Sequence, residues 1–216
     1  MPLAFVFDAY GTLFDVHSAI NRHRAAAGPD ADRFSELWRA KQLEYTWTLT
    51  LAGRYVDFWA LTERALDYAL ARFPSVDPAL RPSLLDCYMR LDVFPDARAA
   101  LHELKMREHP AAILSNGTPR MLAAAVAAAE IELDAVFSVD GIRMFKPRPE
   151  VYRLALEHFR LPPGDIVFAS SNRWDVMGAA AVGLRTAWIN RAKTPEEYGP
   201  PPNAVLTSLA GLTSFA

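Results

Sequence analysis

The stretch FVFDAYGTLFD, Phe5–Asp15, decides the fold. It opens as a short apolar run, breaks at Asp8 and turns at once through Gly11 and Thr12, the way a buried parallel strand delivers a carboxylate to a crevice beyond its carboxyl end. Further apolar runs repeat the pattern. Leu3–Phe7, Ala111–Leu114, Val136–Val139, Ile166–Ala169 and Thr186–Ile189 read as buried strands. Between them lie helical patterns, DARAALHELKMRE, PRMLAAAVAAAE, PEVYRLALEHF and WDVMGAAAVG, several opened by Asp or Pro and closed near Gly or Pro. Strand and helix in alternation predict an α/β fold with a doubly wound parallel sheet, a Rossmann-like core.

From about Val16 to Leu91 the alternation stops. FSELWRAKQLEYTWTLTLAG, YVDFWALTERALDYALARF and PALRPSLLDCYMRL are long helical patterns with no convincing strand among them. This interval predicts a helical cap domain over residues 16–91, inserted into a core domain made of 1–15 and 92–216, with DVFPDA as the return linker around Pro95. Trp38, Trp47 and Trp59 are expected in the cap core or at a subunit contact.

Composition narrows the function classes. The 216 residues are 51% hydrophobic and 22% charged with a formal net charge of -2, and the cations are scattered, so a nucleic-acid partner is not expected. Cys87 is the only cysteine, which rules out an internal disulfide and suits a reducing, cytoplasmic setting. No apolar stretch approaches the ~20 residues of a bilayer-crossing helix, and the N-terminus has no cationic start of the kind that leads a signal peptide. The five histidines, His17, His23, His102, His109 and His158, have no metal-like spacing.

The expected strand ends carry the chemistry. The first ends in Asp8, the second in Ser115 and Asn116, the third leads to Lys146 in MFKPRPEVY, and the fourth ends in SSNRWD with Ser170, Asn172 and Asp175. Taken singly each has an ordinary structural explanation: a turn or helix cap, a solvated lysine, an acid in a helix first turn. Together, at successive strand ends of one sheet, they converge on one rim. In WRAKQLEYTW, Arg39 and Leu43 stand four residues apart, so a guanidinium and an apolar wall can share a helix face, although spacing alone favours a surface arginine over a helix core.

At these residues the chain resembles the haloacid dehalogenase superfamily, and FDAYGTLFD, LSNGT, KPRPEVY and SSNRWD resemble its L-2-haloacid dehalogenase branch. The resemblance covers essentially the whole chain. Phosphatases of that superfamily carry a second aspartate two residues after the nucleophile, to protonate an alkoxide leaving group. Here that position is Tyr10, and a phenol of pKa about 10 is a poor acid near neutrality, whereas a halide leaves without a proton. The fourth-strand loop begins with Ser170, Ser171 and Asn172 where a magnesium-binding relative has an aspartate, so neither metal nor any other cofactor is expected. The resemblance implies that Arg39 binds a substrate carboxylate and that Tyr10, Leu43, Phe58 and Trp174 form an apolar pocket. Thr12, Tyr152 and Ser170 match further active-site positions. Ala40 follows Arg39 where some relatives carry glutamine, which bears on substrate chain length. Related enzymes are commonly homodimers.

The implied reaction is attack of Asp8 on the α-carbon of an L-2-haloalkanoic acid, halide departure with inversion, and hydrolysis of the aspartyl ester by water positioned by Asp175. Lys146 would keep Asp8 ionised, with Arg39, Ser115, Asn116 and Asn172 holding the substrate. Three other readings stay open on the same residues: a fluoroacetate-type defluorinase, a magnesium-dependent phosphatase and a non-catalytic binding descendant.

Overall fold

The computed structural model describes residues 3–215. Met1, Pro2 and Ala216, which the expected core domain includes, lie outside them. Six strands form one parallel sheet in the order β3-β2-β1-β4-β5-β6, with β1 Ala4–Phe7, β2 Ala111–Ser115, β3 Ala135–Ser138, β4 Ile166–Ser170, β5 Arg185–Ile189 and β6 Ala204–Leu206. The chain reverses direction across the sheet beside β1, which places a crevice beyond the carboxyl ends of β1, β2 and β4. β1 is central and all four of its residues are buried, as required of a strand covered on both faces by helices. Its register sets Phe7 beside Ile113 on one side and Ala169 on the other, so the residues that follow these three strands emerge together.

Helices α1 Ser18–Asn21, α2 Arg24–Ala27, α3 Ala31–Leu51, α4 Phe58–Arg72 and α5 Arg81–Met89 make up the inserted cap, and no strand occurs in it among the described residues. α3 and α4 pack closely around Phe34, Trp38, Leu61, Ala65 and Leu66, all buried. The outgoing and returning segments lie side by side: the Asp15 amide donates to the Asp92 carbonyl (2.8 Å) and the Phe94 amide to the Leu13 carbonyl (2.9 Å). Two short connections tied to one another leave the cap a fixed mouth over the sheet. The Tyr55 hydroxyl adds a second tie, donating to Asp140 after β3 at 2.6 Å.

After the return, α6 Pro95–Met106, α7 Pro119–Ala129, α8 Pro149–Phe159 and α9 Arg173–Ala180 alternate with the strands. Three of them begin on proline, whose missing N–H is no loss at a helix start. The five expected strands are present with ends shifted by at most one residue. β6 was not anticipated: it has three residues, only partly buried, after the proline-rich segment YGPPPN, and so lacks an apolar run long enough to register.

Candidate functional site

The backbone after β1 explains how Asp8 is presented. Its amide still donates to the Ala169 carbonyl of β4 at 2.9 Å, the last rung of the ladder. The chain then folds back so tightly that the amides of Leu13 and Phe14 both reach the Ala9 carbonyl, at 2.9 and 3.0 Å. Gly11 takes φ +97°, a conformation that a side chain would strain, and its amide closes the loop onto the Phe14 carbonyl. Asp8 is left at the crevice floor, 6% exposed.

The two oxygens of Asp8 have different surroundings. Oδ2 accepts from Asn172 Nδ2 (2.9 Å), Thr12 Oγ1 (3.0 Å) and, at the long limit, Ser170 Oγ (3.4 Å). Oδ1 faces Lys146 Nζ at 3.1 Å. The same ammonium lies 2.8 Å from Asp175 Oδ2, and the Tyr152 hydroxyl donates to Asp175 Oδ1 at 2.6 Å. Lys146 and Asp175 are 1% and 0% exposed, so one buried cation bridges two buried carboxylates. That arrangement leaves a surplus negative charge away from water. Burial raises the Asp175 pKa, Lys146 pulls it down and Asp8 pushes it up again; the balance stands at about 6. Tyr152 is also buried, and desolvation followed by the Asp175 charge holds its phenol protonated, as a donor to that carboxylate must be.

The second strand end reaches the same place by its backbone. Asn116 Oδ1 accepts from the Lys146 amide (3.0 Å), fixing the lysine loop against β2, and Ser115 Oγ accepts from the Gly117 amide (3.1 Å). Both residues are buried. Arg39, on α3, crosses from the cap and donates from Nη2 to the Tyr10 carbonyl at 3.0 Å. The Tyr10 ring, 3% exposed, packs at 5.9 Å from Phe58 and is stacked on Tyr88 at 5.7 Å; its hydroxyl has no hydrogen-bond partner among the described residues. Burial pushes the Tyr10 phenol well above the ordinary tyrosine value, so it is no acid for a leaving group. Leu43 lies one turn beyond Arg39 and is half-buried. Trp174 is half-buried at the start of α9, edge-on to Trp47 of α3 at 5.4 Å, and these two rings border an open cleft of about 390 Å³ that Lys146 and Pro147 also line.

The structure therefore gathers Asp8, Thr12, Lys146, Tyr152, Ser170, Asn172 and Asp175 into one hydrogen-bonded cluster, with Asn116 bonded to its lysine loop. Ser115 joins through the Gly117 turn, and Arg39, Tyr10 and Phe58 form the wall on the cap side. Trp174 borders the cleft that Lys146 also lines. Ala40 faces solvent in a surface groove with Tyr68 and Phe73, so it does not meet the cluster. Trp47 spans from cap to core domain, whereas of the three cap tryptophans only Trp38 is fully buried.

Sequence reasoning passed over Ser171, Gln42, Thr62 and Tyr88. The Ser171 amide donates to Thr12 Oγ1 (2.9 Å) and its hydroxyl to the Gly11 carbonyl (2.6 Å), which leaves the Thr12 proton for Asp8. The doubled serine of SSNRWD was its only signal. Gln42 and Thr62 are fully buried polar residues on otherwise apolar helix faces, and a polar break of that kind was their signal. Among the described residues no group of three or more His, Cys, Asp or Glu is placed to hold a metal, and no helix is long and apolar enough to cross a membrane.

The sequence profile of the haloacid dehalogenase-like hydrolases matches residues 2–183. The chain is 46% identical to (S)-2-haloacid dehalogenase 1 of Pseudomonas sp. (strain CBS-3) over 213 residues, 97% of this chain and 94% of that one. It is 40% identical to haloacetate dehalogenase H-2 of Moraxella sp. (strain B), over 87% of this chain and 85% of that one. Among solved structures, L-2-haloacid dehalogenase from Xanthobacter autotrophicus with chloropropionic acid covalently bound superposes with a TM-score of 0.89 at 38% identity, covering 100% of this chain and 98% of that one.

Proposed function

The chain belongs to the haloacid dehalogenase-like hydrolases, and on that premise we propose that it hydrolyses L-2-haloalkanoic acids to D-2-hydroxy acids through an ester on Asp8. The observation that carries the reading is the unequal dressing of the Asp8 carboxylate. Oδ1 has one hydrogen-bond partner among the described residues, the Lys146 ammonium, and is the oxygen free to attack. Oδ2 already collects donors from Thr12, Asn172 and Ser170.

In the first step Oδ1 forms a bond to the α-carbon as the carbon–halogen bond breaks, and the halide leaves with the bonding pair from the opposite face. Inversion follows, and no proton is required, which fits a buried phenol at position 10. Arg39 grips the substrate carboxylate, with Ser115 and the amide region of Asn116 as further donors and Tyr10, Phe58, Leu43 and Trp174 as apolar walls. The anionic substrate approaches an anionic nucleophile, a Coulomb cost that Lys146 and Arg39 offset.

In the second step Asp175 takes a proton from water, and the hydroxide oxygen adds to Cγ of Asp8. The three donors around Oδ2 then face the oxygen on which negative charge develops, an oxyanion hole assembled before the reaction begins. Collapse breaks the bond from Cγ to the former Oδ1, which leaves as the product hydroxyl by taking back the proton held on Asp175, and the Asp8 carboxyl gives its remaining proton to solvent, so Asp8 returns as a carboxylate that retains one oxygen from water. The scheme uses no metal: the Lys146 ammonium occupies the space between the two carboxylates where a cation would sit.

The cap is taken as residues 16–91 and the core domain as 1–15 with 92–216. A cytoplasmic location and a homodimer belong to the same reading, the first supported by the free thiol of Cys87 and the second by the family resemblance alone. Haloacetates are included as substrates on the strength of the Moraxella relative's name.

The test is halide release from L- and D-2-chloropropionate, chloroacetate and fluoroacetate with excess chelator, beside p-nitrophenyl phosphate with magnesium. Chelator-resistant release from the L isomer is expected, with Asp8→Asn lower by about 10⁴-fold or more. Magnesium-dependent phosphate release without halide release would overturn it.

A further inference from the structure

The Thr12 hydroxyl has a single proton and two acceptors within reach, Asp8 Oδ2 at 3.0 Å and Ser171 Oγ at 3.2 Å. Ser171 is the half-buried residue that follows β4. Its own hydroxyl donates to the Gly11 carbonyl at 2.6 Å, so toward Thr12 it presents lone pairs only. Its amide donates to Thr12 Oγ1 at 2.9 Å and fills one lone pair of that fully buried side chain. A neutral hydroxyl is a weaker acceptor than a carboxylate, and the Thr12 proton goes to Asp8.

Ser171 is held in turn. Trp188 of β5, 3% exposed, donates from Nε1 to the Ser171 carbonyl at 3.1 Å. The grip on Gly11 matters because that residue turns the chain at φ +97° immediately before Thr12, and its carbonyl belongs to the peptide that carries the Thr12 nitrogen. Ser171 therefore fixes Thr12 from two directions, through the peptide behind it and through its own oxygen. Turn and serine are packed together: a Cβ on Gly11 would stand 3.4 Å from Ser171 Oγ.

We infer that Ser171 is a positioning residue for hydrolysis of the Asp8 ester, acting through the Thr12 hydroxyl on Oδ2. The inference rests on the ester reaction proposed above. Charge on Oδ2 changes in opposite senses in the two steps. As Oδ1 attacks the α-carbon, Oδ2 passes from half of a carboxylate to a neutral ester carbonyl, and a donor on it loses strength. As the hydroxide oxygen adds to Cγ, Oδ2 becomes an oxyanion, and the same donor gains strength. A residue that places this donor favours the second step and slightly opposes the first. A residue that only holds the fold together would, when removed, slow both.

The test follows L-2-chloropropionate by rapid-quench kinetics with enzyme in excess, beside thermal melting. Halide release and the rise of the Asp8 ester by mass read the first step, and decay of the ester reads the second. Ser171→Ala keeps the amide and removes the grip on Gly11. It is expected to slow ester hydrolysis about tenfold, less than outright loss of an oxyanion donor, with ester formation unchanged or up to about twofold faster. Ser171→Cys, a weaker donor, is expected to fall between the two and serves alone if Ser171→Ala melts below assay temperature. In a Thr12→Val background Ser171→Ala is expected to add nothing, since the serine acts only through that hydroxyl. Equal slowing of both steps in folded variants, unchanged hydrolysis, or an undiminished further loss in the Thr12→Val background would overturn the inference. Halide release by the wild type without any Asp8 ester would instead overturn the ester reaction, a failure visible before any variant is compared.

Discussion

At the scale of residues, the account turns on how one lysine serves two aspartates. With Asp175 raised to about pH 6, its ability to take a proton from water is lost as pH falls through that value. Turnover is therefore expected to decline below about pH 6, with the Asp8 ester accumulating because its hydrolysis and not its formation depends on Asp175; rapid-quench mass spectrometry across pH checks both. Tyr152 donates to Asp175 and stabilises its charged form. Tyr152→Phe should shift the acid limb upward, by roughly one unit, with activity better preserved at pH 8 than at pH 6. An unmoved limb would mean that another group sets it. Tyr10 was legible in the sequence as a residue out of place in a phosphatase, yet the aromatic pile it joins was not. Its partner Tyr88 lies 78 positions away in a helix whose pattern reads only as packing.

At the scale of elements, the site depends on α9 lying closer to α8 and the lysine loop than an ordinary side chain allows. Gly178 of α9 faces α8 so directly that a Cβ there would stand 2.4 Å from the Tyr152 hydroxyl and 2.8 Å from Pro147. Both neighbours touch the cluster. Gly178→Ala is expected to cost about 1–3 kcal/mol of stability and to lower activity more than melting alone explains, because Tyr152 and the lysine loop must move together. Calorimetry beside steady-state kinetics reads both, and an unchanged kcat would contradict this placement. Four of the strand-end motifs were legible because a parallel sheet turns sequence order into a shared rim: Asp8, Ser115, Lys146 and SSNRWD each follow an apolar run. The hydrogen-bonded chain Gln42–Thr62–Tyr88 was not, since it joins three helices of the cap, and helical periodicity says which face is buried but not which neighbour it meets. β6 was missed for a simpler reason, its three residues being shorter than any periodic signal.

At the scale of the whole molecule, stability and function pull against each other through the surplus buried charge. Since folding raises the Asp175 pKa from 3.8 to about 6, the folded state prefers the protonated form. The penalty is absent below about pH 4, grows as pH rises, and is complete above about pH 6. Asp175→Asn removes it while leaving Lys146 paired with Asp8, so the variant is expected to melt about 3–6 °C higher at pH 8, with no gain at pH 4, and to stall with the ester formed. A lower melting point at pH 8 would show the ion triad to be net stabilising. The cap and sheet could be told apart in the sequence by where strand and helix stop alternating, whereas the hydrogen bonds that tie their two connections, Asp15 to Asp92 and Phe94 to Leu13, join residues far apart in the chain and carry no local pattern. The central claim is that Asp8 itself becomes the ester and is regenerated by attack at its own Cγ. Its most direct test is a single turnover of L-2-chloropropionate with enzyme in excess, in water enriched in the heavy oxygen isotope, followed by mass analysis of the Asp8 peptide and the hydroxy acid. The account predicts one heavy oxygen in Asp8 and an unlabelled D-lactate; heavy oxygen in the lactate, with Asp8 unlabelled, would mean that water attacks the substrate directly and would contradict it.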